Sequence, residues 1–344
     1  MKMENLKKVT SMQNFSSFVI LLIMLVITTV LQDNFFTLGS FISNVNAFAP
    51  LILLSIGQSI VMISGAIDLS NGAMLSLMTC ILASTMQADN PLSGVKALLI
   101  ALAAALVCGL LNGFAVGFMK EPPVIVTFAT SYMFLGAGLF ILPRPGGNCA
   151  NWVLGFYNMS LVENAPGWLI GLTRYVPPVF LVILLVVGVA MVMRRTRFMR
   201  YLYATGSNEA SAYATGINTA KIRIIAYLIN AVCVFLTAVY LVAQNRSGDY
   251  QLGDAYTLRT IAAAVIGGVS MSGGRGDVFS AIIGALISSL VNKIIFFANL
   301  PTAYQTLISG LIVIAALGVS FLYSYLDERK KIKELRGKAE VQNE

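Results

Sequence analysis

Long apolar runs alternate with short polar segments along almost the whole chain. A run of about 20 apolar residues is long enough to cross the hydrocarbon core of a bilayer as a helix. The runs predict ten membrane spans, at 15–31, 47–64, 72–88, 95–118, 124–142, 177–193, 221–243, 258–271, 278–298 and 302–325. The runs at 72–88 and 258–271 are the least regular, and the second is short enough to indicate a broken or tilted helix. The pattern predicts an all-α polytopic membrane protein with about ten transmembrane helices, whose membrane domain covers 15–325.

Composition supports this class and removes several functions. Of the 344 residues, 57% are hydrophobic and 11% are charged, against about 25% charged residues in a typical soluble domain. The sequence has no histidine, which excludes histidine catalysis, histidine metal sites and histidine proton relays. The four cysteines lie far apart, without the spacing of a metal site or a disulfide framework. We therefore expect no metal, no cofactor and no catalytic residue.

Basic residues set the predicted orientation. Short loops rich in Lys and Arg stay in the cytoplasm, and the segment 194–223 has four arginines after one apolar run and two basic residues before the next. The N-terminal segment 1–14 and the C-terminal tail 326–344 are basic too, and an even number of spans places all three in the cytoplasm. Topology thus explains the net charge of +8, which we do not interpret as a nucleic-acid signal. No small-residue cleavage site follows the first run, so we interpret it as a membrane helix.

The longest predicted outer loop is 143–178, which contains both tryptophans of the chain. Tryptophan favours the boundary between membrane and water. Two interpretations stay open for this loop: a surface that receives a soluble binding protein, and a connection with a helix lying in the interface.

The middle of the basic segment, from Gly206 to Ile217, differs in kind from its flanks. It is small, polar and almost uncharged, and its alanines at 210, 212 and 214 favour helix, with Gly206 and Gly216 as the expected helix ends. A docking surface for a partner protein and a solvated surface helix are both consistent with this pattern.

A second unusual stretch, Gly65 to Gly72, separates two apolar runs. Its glycines break the helix, and Asp68, Ser70 and Asn71 are residue types that cap the start of the next one. Irregular backbone at membrane depth is tolerated where it is buried in protein or lines water, and discontinuous helices often mark substrate paths in transporters. The alternative is a tight cytoplasmic turn with an aspartate cap.

The stretch GAIDLSNG at 65–72 is similar to GGVSMSGG at 267–274, and each follows an apolar run. Internal duplication is common in transporters, so we predict a pseudo-repeat. Its motif glycines are Gly65, Gly72, Gly267, Gly268, Gly273 and Gly274.

These stretches resemble the motifs of ribose/xylose-type ABC transporter permeases. The stretch from Gly206 to Ile217 is similar to the family's G-x-N-x-x-[AS]-A-x-x-x-G-I, and Gly65 to Gly72 to its G-x-I-D-L-S-x-G. The run ending at Gly276 resembles a family sequence in which Thr is usual at the position of Val269. Branched-chain amino-acid permeases usually carry a different sequence at 65–72, which favours a sugar. The resemblance covers nearly all of residues 40–325.

The resemblance implies a set of partners and a coupling site. Two such chains, identical or paralogous, would form the pore in a bacterial inner membrane, with two ABC ATPase subunits and an extracytoplasmic solute-binding protein. The expected contacts with the ATPase are Gly206, Asn208, Glu209, Ala212, Gly216 and Ile217.

Sugar hydroxyls need hydrogen-bonding groups without strong charge. The scarce polar residues near the spans that meet this need are Asn44, Gln58, Asp68, Ser70, Asn71, Asn112 and Gln305, and we predict that they line the translocation path. Asn112 requires a partner from protein or water. For Thr127 and Thr130 we expect bonds within their own helix.

Arg259 departs from the family pattern, in which an acidic residue is common at this position. A basic side chain near a helix end can extend to the interface. If Arg259 instead faces the path, it would suit an anionic or carboxylated substrate.

The chain has no G-x-x-x-x-G-K-[ST] phosphate loop, so the energy for transport must come from a partner. We predict a permease subunit for a monosaccharide, which works by alternating access and is not itself an enzyme. An ABC permease for a nucleoside, an amino acid or a signalling furanose is the nearest alternative. An ion-coupled carrier and a membrane enzyme are less well supported, because few ionisable residues lie within the spans and no nucleophile–base pair is visible.

Overall fold

The computed structural model describes residues 3–32, 34–157, 177–299, 301, 304, 307, 310–311 and 314. Gln305, the predicted span at 302–325, the tail 326–344 and most of the outer loop 143–178 lie outside these residues or are described only in part. The helices are, in chain order, α1 Met3–Leu31, α2 Leu38–Ile63, α3 Asn71–Thr85, α4 Pro91–Gly117, α5 Pro123–Ile141, α6 Asn151–Tyr157, α7 Pro178–Arg194, α8 Arg197–Ser207, α9 Glu209–Ala214, α10 Thr219–Asn245, α11 Asp254–Ile266 and α12 Val278–Phe297.

The described part of the chain is nearly all helical, as expected from the apolar runs. Five of its helices are long and apolar enough to cross a membrane: α2, α4, α5, α10 and α12. The bent pair α7–α8 makes a sixth if it is counted as one span. The total of ten spans therefore stays a prediction. α1 begins at Met3, ahead of the predicted span start at 15.

The helices are buried to very different degrees. The apolar window of α2 is 89% buried within the chain, whereas the corresponding windows of α4 and α5 are 33% and 17% buried. The apolar side chains on α5 that remain exposed, such as Ile125 and Phe140, are those expected to face lipid. α2 is therefore the central helix of the domain, and α4 and α5 form part of its outer surface.

The two irregular apolar runs form short helices, α3 and α11. They contain 15 and 13 residues, so at about 1.5 Å per residue they span roughly 20 Å, less than a hydrocarbon core of about 30 Å. The segment before α11 runs back along α3. Gly248 packs against Thr79, and Gly253 packs against Gly72, which corresponds to about 10 Å of helix. α11 therefore starts inside the protein.

The basic segment contains a sharp bend. α7 ends at Arg194, and α8 leaves it at an angle of 77°. The first turn of α8 carries exposed Arg197 and Arg200, while Met199, Leu202 and Thr205 on its other face are buried. Because these buried positions recur every three residues, α8 packs one side against the helix ends and presents the other side outward.

Candidate functional site: a glycine junction, a buried polar network and a cavity

Two breaks interrupt the helices: the first, 64–70, lies between α2 and α3, and the second, 267–277, lies between α11 and α12. Four glycines bring α8 into direct contact with both breaks. A Cβ atom on Gly206 would overlap the carbonyl oxygen of Ile63 and lie 2.5 Å from the nitrogen of Gly274, and one on Gly273 would lie 2.5 Å from the Cα of Gly65. The backbone N–H of Gly274 donates to the oxygen of Ile63 over 2.9 Å. We call Gly65, Gly206, Gly273 and Gly274 the glycine junction. Only glycine allows backbones to approach this closely.

The junction adds a second role to one predicted helix end. Gly206 was expected to end a helix, and it is the last residue but one of α8, which ends at Ser207; its missing side chain also permits the close packing. Gly216 follows the end of a helix: its φ is +84°, and the N–H of Ile217 bonds to the oxygen of Ala212 over 3.2 Å. A left-handed glycine of this kind is a common helix C-cap.

Two side chains of α8 fasten it to the second break. The Tyr203 hydroxyl donates to the oxygen of Gly276 over 2.7 Å, and burial raises the pKa of Tyr203 to about 12, so the phenol keeps its proton. The Ser207 hydroxyl donates to the oxygen of Gly274 over 3.4 Å. Movement of α8 therefore acts directly on the segment between α11 and α12.

The short helix α9 follows α8 and is held by its own caps. The side chain of Asn208 accepts from the N–H of Ser211 over 2.8 Å, as an N-cap does. Glu209 accepts from the Thr219 hydroxyl over 3.2 Å and pairs with Arg223 over 2.8 Å. These contacts join α9 to the first turns of α10.

The outer side of α9 is open. Ala212 is buried and Ile217 is half-buried, whereas Ala210, Ser211, Tyr213 and Ala214 are exposed. Tyr213 is 69% exposed, and the Lys120 ammonium lies 5.7 Å from the centre of its ring. The exposed side chains of this surface are small, except for one aromatic ring. Of the six predicted coupling residues, Gly206 and Ala212 face inward. Asn208 caps α9, and Glu209 bonds α9 to α10.

The first break is filled by a buried polar network centred on Asp68. Its carboxylate accepts from the N–H and the hydroxyl of Ser70 over 2.8 and 2.6 Å and from the Asn230 amide over 2.9 Å. The Asn112 amide donates to the Ser70 hydroxyl over 2.8 Å, and the Thr130 hydroxyl donates to Asn112 over 2.7 Å. The network links the break to α4, α5 and α10.

These bonds correct the predicted capping of α3. Ser70 is the N-cap residue, but its side chain makes no capping bond, and Asp68 accepts from Ser70 instead of from the first turn of the helix. Thr127 and Thr130 do bond within α5, over 2.8 and 3.2 Å. Thr127 also accepts from the N–H of Leu69 over 3.0 Å, so it supports the break as well.

Sequence reasoning missed Asn230. It lies in the middle of the apolar run of α10, 162 positions from Asp68, and an amide in such a run needs a partner. The presence of an amide in an apolar run was therefore the signal that the sequence offered, but spacing alone could not identify its partner.

The predicted path residues fall into two groups. Gln58, Asp68, Ser70, Asn71 and Asn112 all have 0% exposure, and the Asn71 amide donates to Gln58 over 3.3 Å. Asn44 lies apart from them, in the wall of a cavity of about 540 Å³ near the other end of α2. Asn44 and Ile63 are nineteen positions apart, which corresponds to about 28 Å of helix. The role of the two groups in a translocation path stays a prediction.

The cavity lies between the ends of α1, α2 and α12 and the first turns of α11. Polar and aromatic side chains share its wall, among them Gln32, Asn44, Tyr256, Arg259, Lys293 and Phe297. Arg259 thus faces a cavity.

The described residues form a helical membrane domain with discontinuous central helices, and the external helix α8 is bonded to the second break and packs against the first. Discontinuous helices of this kind are typical of membrane transporters, which is the class that the fold indicates. The chain belongs to the family described as "Branched-chain amino acid transport system / permease component", which matches residues 40–317. It is the membrane-spanning permease subunit of an ABC import system.

Two relatives illustrate the range of the family. The chain is 29% identical over 312 residues to the "Autoinducer 2 import system permease protein LsrC" of Photorhabdus laumondii, covering 91% of this chain and 90% of the relative. It is 30% identical over 305 residues to the "Ribose import permease protein RbsC" of Escherichia coli (strain K12), covering 88% of this chain and 91% of the relative. No solved structure gives a significant match.

Proposed function

We propose that this chain forms half of the translocation path of an importer for a small hydroxylated solute of the monosaccharide type, driven by a separate ATPase that docks on α9. The observation that carries this proposal is the glycine junction. One external element, α8–α9, touches both helix breaks through backbone contacts, so a push on its outer face reaches both halves of the domain.

The proposed orientation places the junction in the cytoplasm. The basic residues of 194–223 lie at this end, as the orientation rule for short loops requires. The hydroxyl of Ser17, the middle residue of α1, donates to the oxygen of Ile266 over 2.7 Å, so the middle of α1 lies near the second break. The cavity is at the opposite end and would receive solute from a binding protein. With ten spans, both termini are cytoplasmic.

Alternating access follows from this arrangement. ATP binding closes the ATPase dimer, α9 moves with it, and α8 shifts the two breaks relative to each other. The Asp68 network joins the first break to α4, α5 and α10, so these helices would move together. A second permease chain completes the path, and the complex lies in a bacterial inner membrane.

The solute class is inferred from the polar groups and the relatives. Uncharged hydrogen-bonding groups on the cavity wall suit hydroxyls, and the two relatives are named as permeases for autoinducer 2 and ribose. The family description names branched-chain amino acids, so leucine is the second candidate.

Transport by the purified proteins tests the proposal. The chain is reconstituted in vesicles with its ATPase and its solute-binding protein, and uptake of labelled D-ribose, D-ribonate and L-leucine is measured with and without ATP. We expect uptake of a hydroxylated probe only with ATP and the ATPase, and loss of coupled ATP hydrolysis in Gly216→Asp. Uptake by the chain alone, or uptake of leucine only, would contradict the proposal.

A further inference from the structure

Two cations share the wall of the cavity. Arg259 on α11 and Lys293 on α12 both line it, and both are partly buried. In the described part of the chain, the ion pairs are Arg194 with Asp277 and Arg223 with Glu209, so neither cavity cation has a carboxylate partner there. Ionisable side chains within membrane domains are costly and commonly mark a solute or ion path.

Aromatic rings surround the Lys293 ammonium. Its Nζ lies 5.6, 6.0 and 5.7 Å from the ring centres of Phe35, Phe48 and Phe297. Contacts at this distance attract a cation weakly and do not neutralise its charge. An anion that enters the cavity is therefore attracted to the ammonium.

Arg259 is not at a membrane boundary. α11 begins at Asp254, directly after Gly253, which packs against Gly72 in the first turn of α3. The helix thus starts within the protein, and Arg259 in its second turn faces the cavity. Extension to the interface does not account for this position.

Two amides on the same wall have unused hydrogen-bonding capacity. The Oδ1 of Asn44 and the Oε1 of Gln32 have no hydrogen-bond partner, although these side chains are only 8% and 9% exposed. A buried polar atom without a partner costs free energy. Both oxygens are closed off from the cavity space, so rotation of each side chain has to expose its oxygen before a solute hydroxyl can donate to it.

We propose that the cavity is a binding site for a sugar acid, a small polyhydroxylated carboxylate. This inference rests on the proposed function. The carboxylate binds between Arg259 and Lys293, and the hydroxyls donate to Asn44 and Gln32. A neutral sugar would leave both cations unpaired. A zwitterionic amino acid would bring an ammonium next to them, with no described carboxylate on the wall to receive it.

Selective uptake tests the proposed solute. In the complete reconstituted importer, D-ribonate and D-ribose are compared for the wild type, Arg259→Gln, Arg259→Lys, Lys293→Gln and Lys293→Arg. Exposed Lys96 on α4 gives the matched control Lys96→Gln. We expect Arg259→Gln and Lys293→Gln to lower D-ribonate uptake about tenfold, the loss of one charged hydrogen bond, without lowering any D-ribose uptake. Arg259→Lys and Lys293→Arg retain most of the activity, and Lys96→Gln retains all of it.

The outcomes separate the two proposals. D-ribose uptake with no D-ribonate uptake, or equal losses for both solutes in the glutamine variants, overturns the sugar-acid site and leaves the permease function intact. ATP-driven uptake of L-leucine with uptake of neither sugar solute overturns the proposed monosaccharide-type function. Asp33 lies outside the described residues, so Asp33→Asn is measured too. If it reproduces the loss seen in Lys293→Gln, the lysine is an internal ion-pair partner and the proposal fails.

A second measurement reads the charge of the cavity without any substrate. Ser43→Cys places a thiol on the cavity wall, and the four native cysteines are buried. We expect a sulfonate-bearing methanethiosulfonate to react faster than an ammonium-bearing one, and the preference to disappear in Arg259→Gln combined with Lys293→Gln. Equal rates in the wild-type background would overturn the proposal.

Discussion

The two ends of α2 differ in how the charged side chains near them are paired. At the junction end, the Asp68 carboxylate has three hydrogen bonds, and glycines allow backbone to pack on backbone. At the cavity end, two buried amides have unpaired oxygens and two cations have no described carboxylate partner. Both ends contain buried amide atoms without a hydrogen-bond partner, including Asn71 Oδ1 and Asn230 Oδ1 at the junction end, so the difference lies in the charged groups. Buried polar groups cost least when paired, and the paired Asp68 favours a fixed arrangement, whereas the two cations at the cavity end can pair with an entering anion.

The largest effect expected at the junction end comes from Gly206→Ala. Its methyl group would overlap the backbone oxygen of Ile63, which cannot move aside as a side chain can, so we expect a loss of about 3 kcal/mol or more in the free energy of unfolding. Gly188 on α7 is the matched control, because a Cβ there meets nothing within 4 Å.

We expect Gly188→Ala to be neutral or to stabilise by up to about 1 kcal/mol, since alanine favours helix over glycine. Thermal unfolding in detergent measures both variants. Equal transition temperatures for the two would show that the junction is not tightly packed.

Asp68→Ala should have the next largest effect. It leaves two donors of Ser70 and one of Asn230 buried without an acceptor, and we expect a loss on the order of 2–3 kcal/mol in the free energy of unfolding. Asp68→Asn keeps the shape and one acceptor, so its loss is smaller. Asp89→Asn, whose carboxylate accepts only an exposed bond from Asn151, should change stability by less than about 0.5 kcal/mol. If Asp68→Ala is as stable as Asp89→Asn, the network does not hold the break.

A smaller and more selective effect is expected for Tyr213→Ala. This exposed side chain contributes little to folding, but an aromatic residue at the centre of an interface commonly contributes about 1–2 kcal/mol to binding. We expect roughly tenfold weaker binding of the ATPase, with an unchanged unfolding temperature. Tyr132→Ala on α5, which is 63% exposed, is the control. Equal ATPase binding by the two variants would remove Tyr213 from the docking surface.

The sequence predicted the helical class and most helix positions well, because apolar runs are local signals. The run at 221–243, for example, became Thr219–Asn245. The irregular runs were also recognised, and they are the short helices α3 and α11. The coupling segment resolved into two helices, of which α9 has the alanine-rich composition that favours helix.

Contacts between distant positions could not be predicted. Gly206 was recognised as a helix end but not as a packing site, because glycine serves both as a cap and as a close-packing residue, and only the fold separates the two. The partnership of Asp68 with Asn230 and the shared cavity of Arg259 and Lys293 depend on tertiary packing. A single sequence carries no local signal for either.

Labelling of Ala214→Cys tests the central claim most directly. This residue lies on the exposed side of α9, and the native cysteines are buried. A membrane-impermeant maleimide is added to sealed inside-out and right-side-out vesicles, with and without the ATPase. The account predicts labelling only in inside-out vesicles, and protection when the ATPase is bound. Labelling from the outer side, or labelling that bound ATPase does not change, would contradict it.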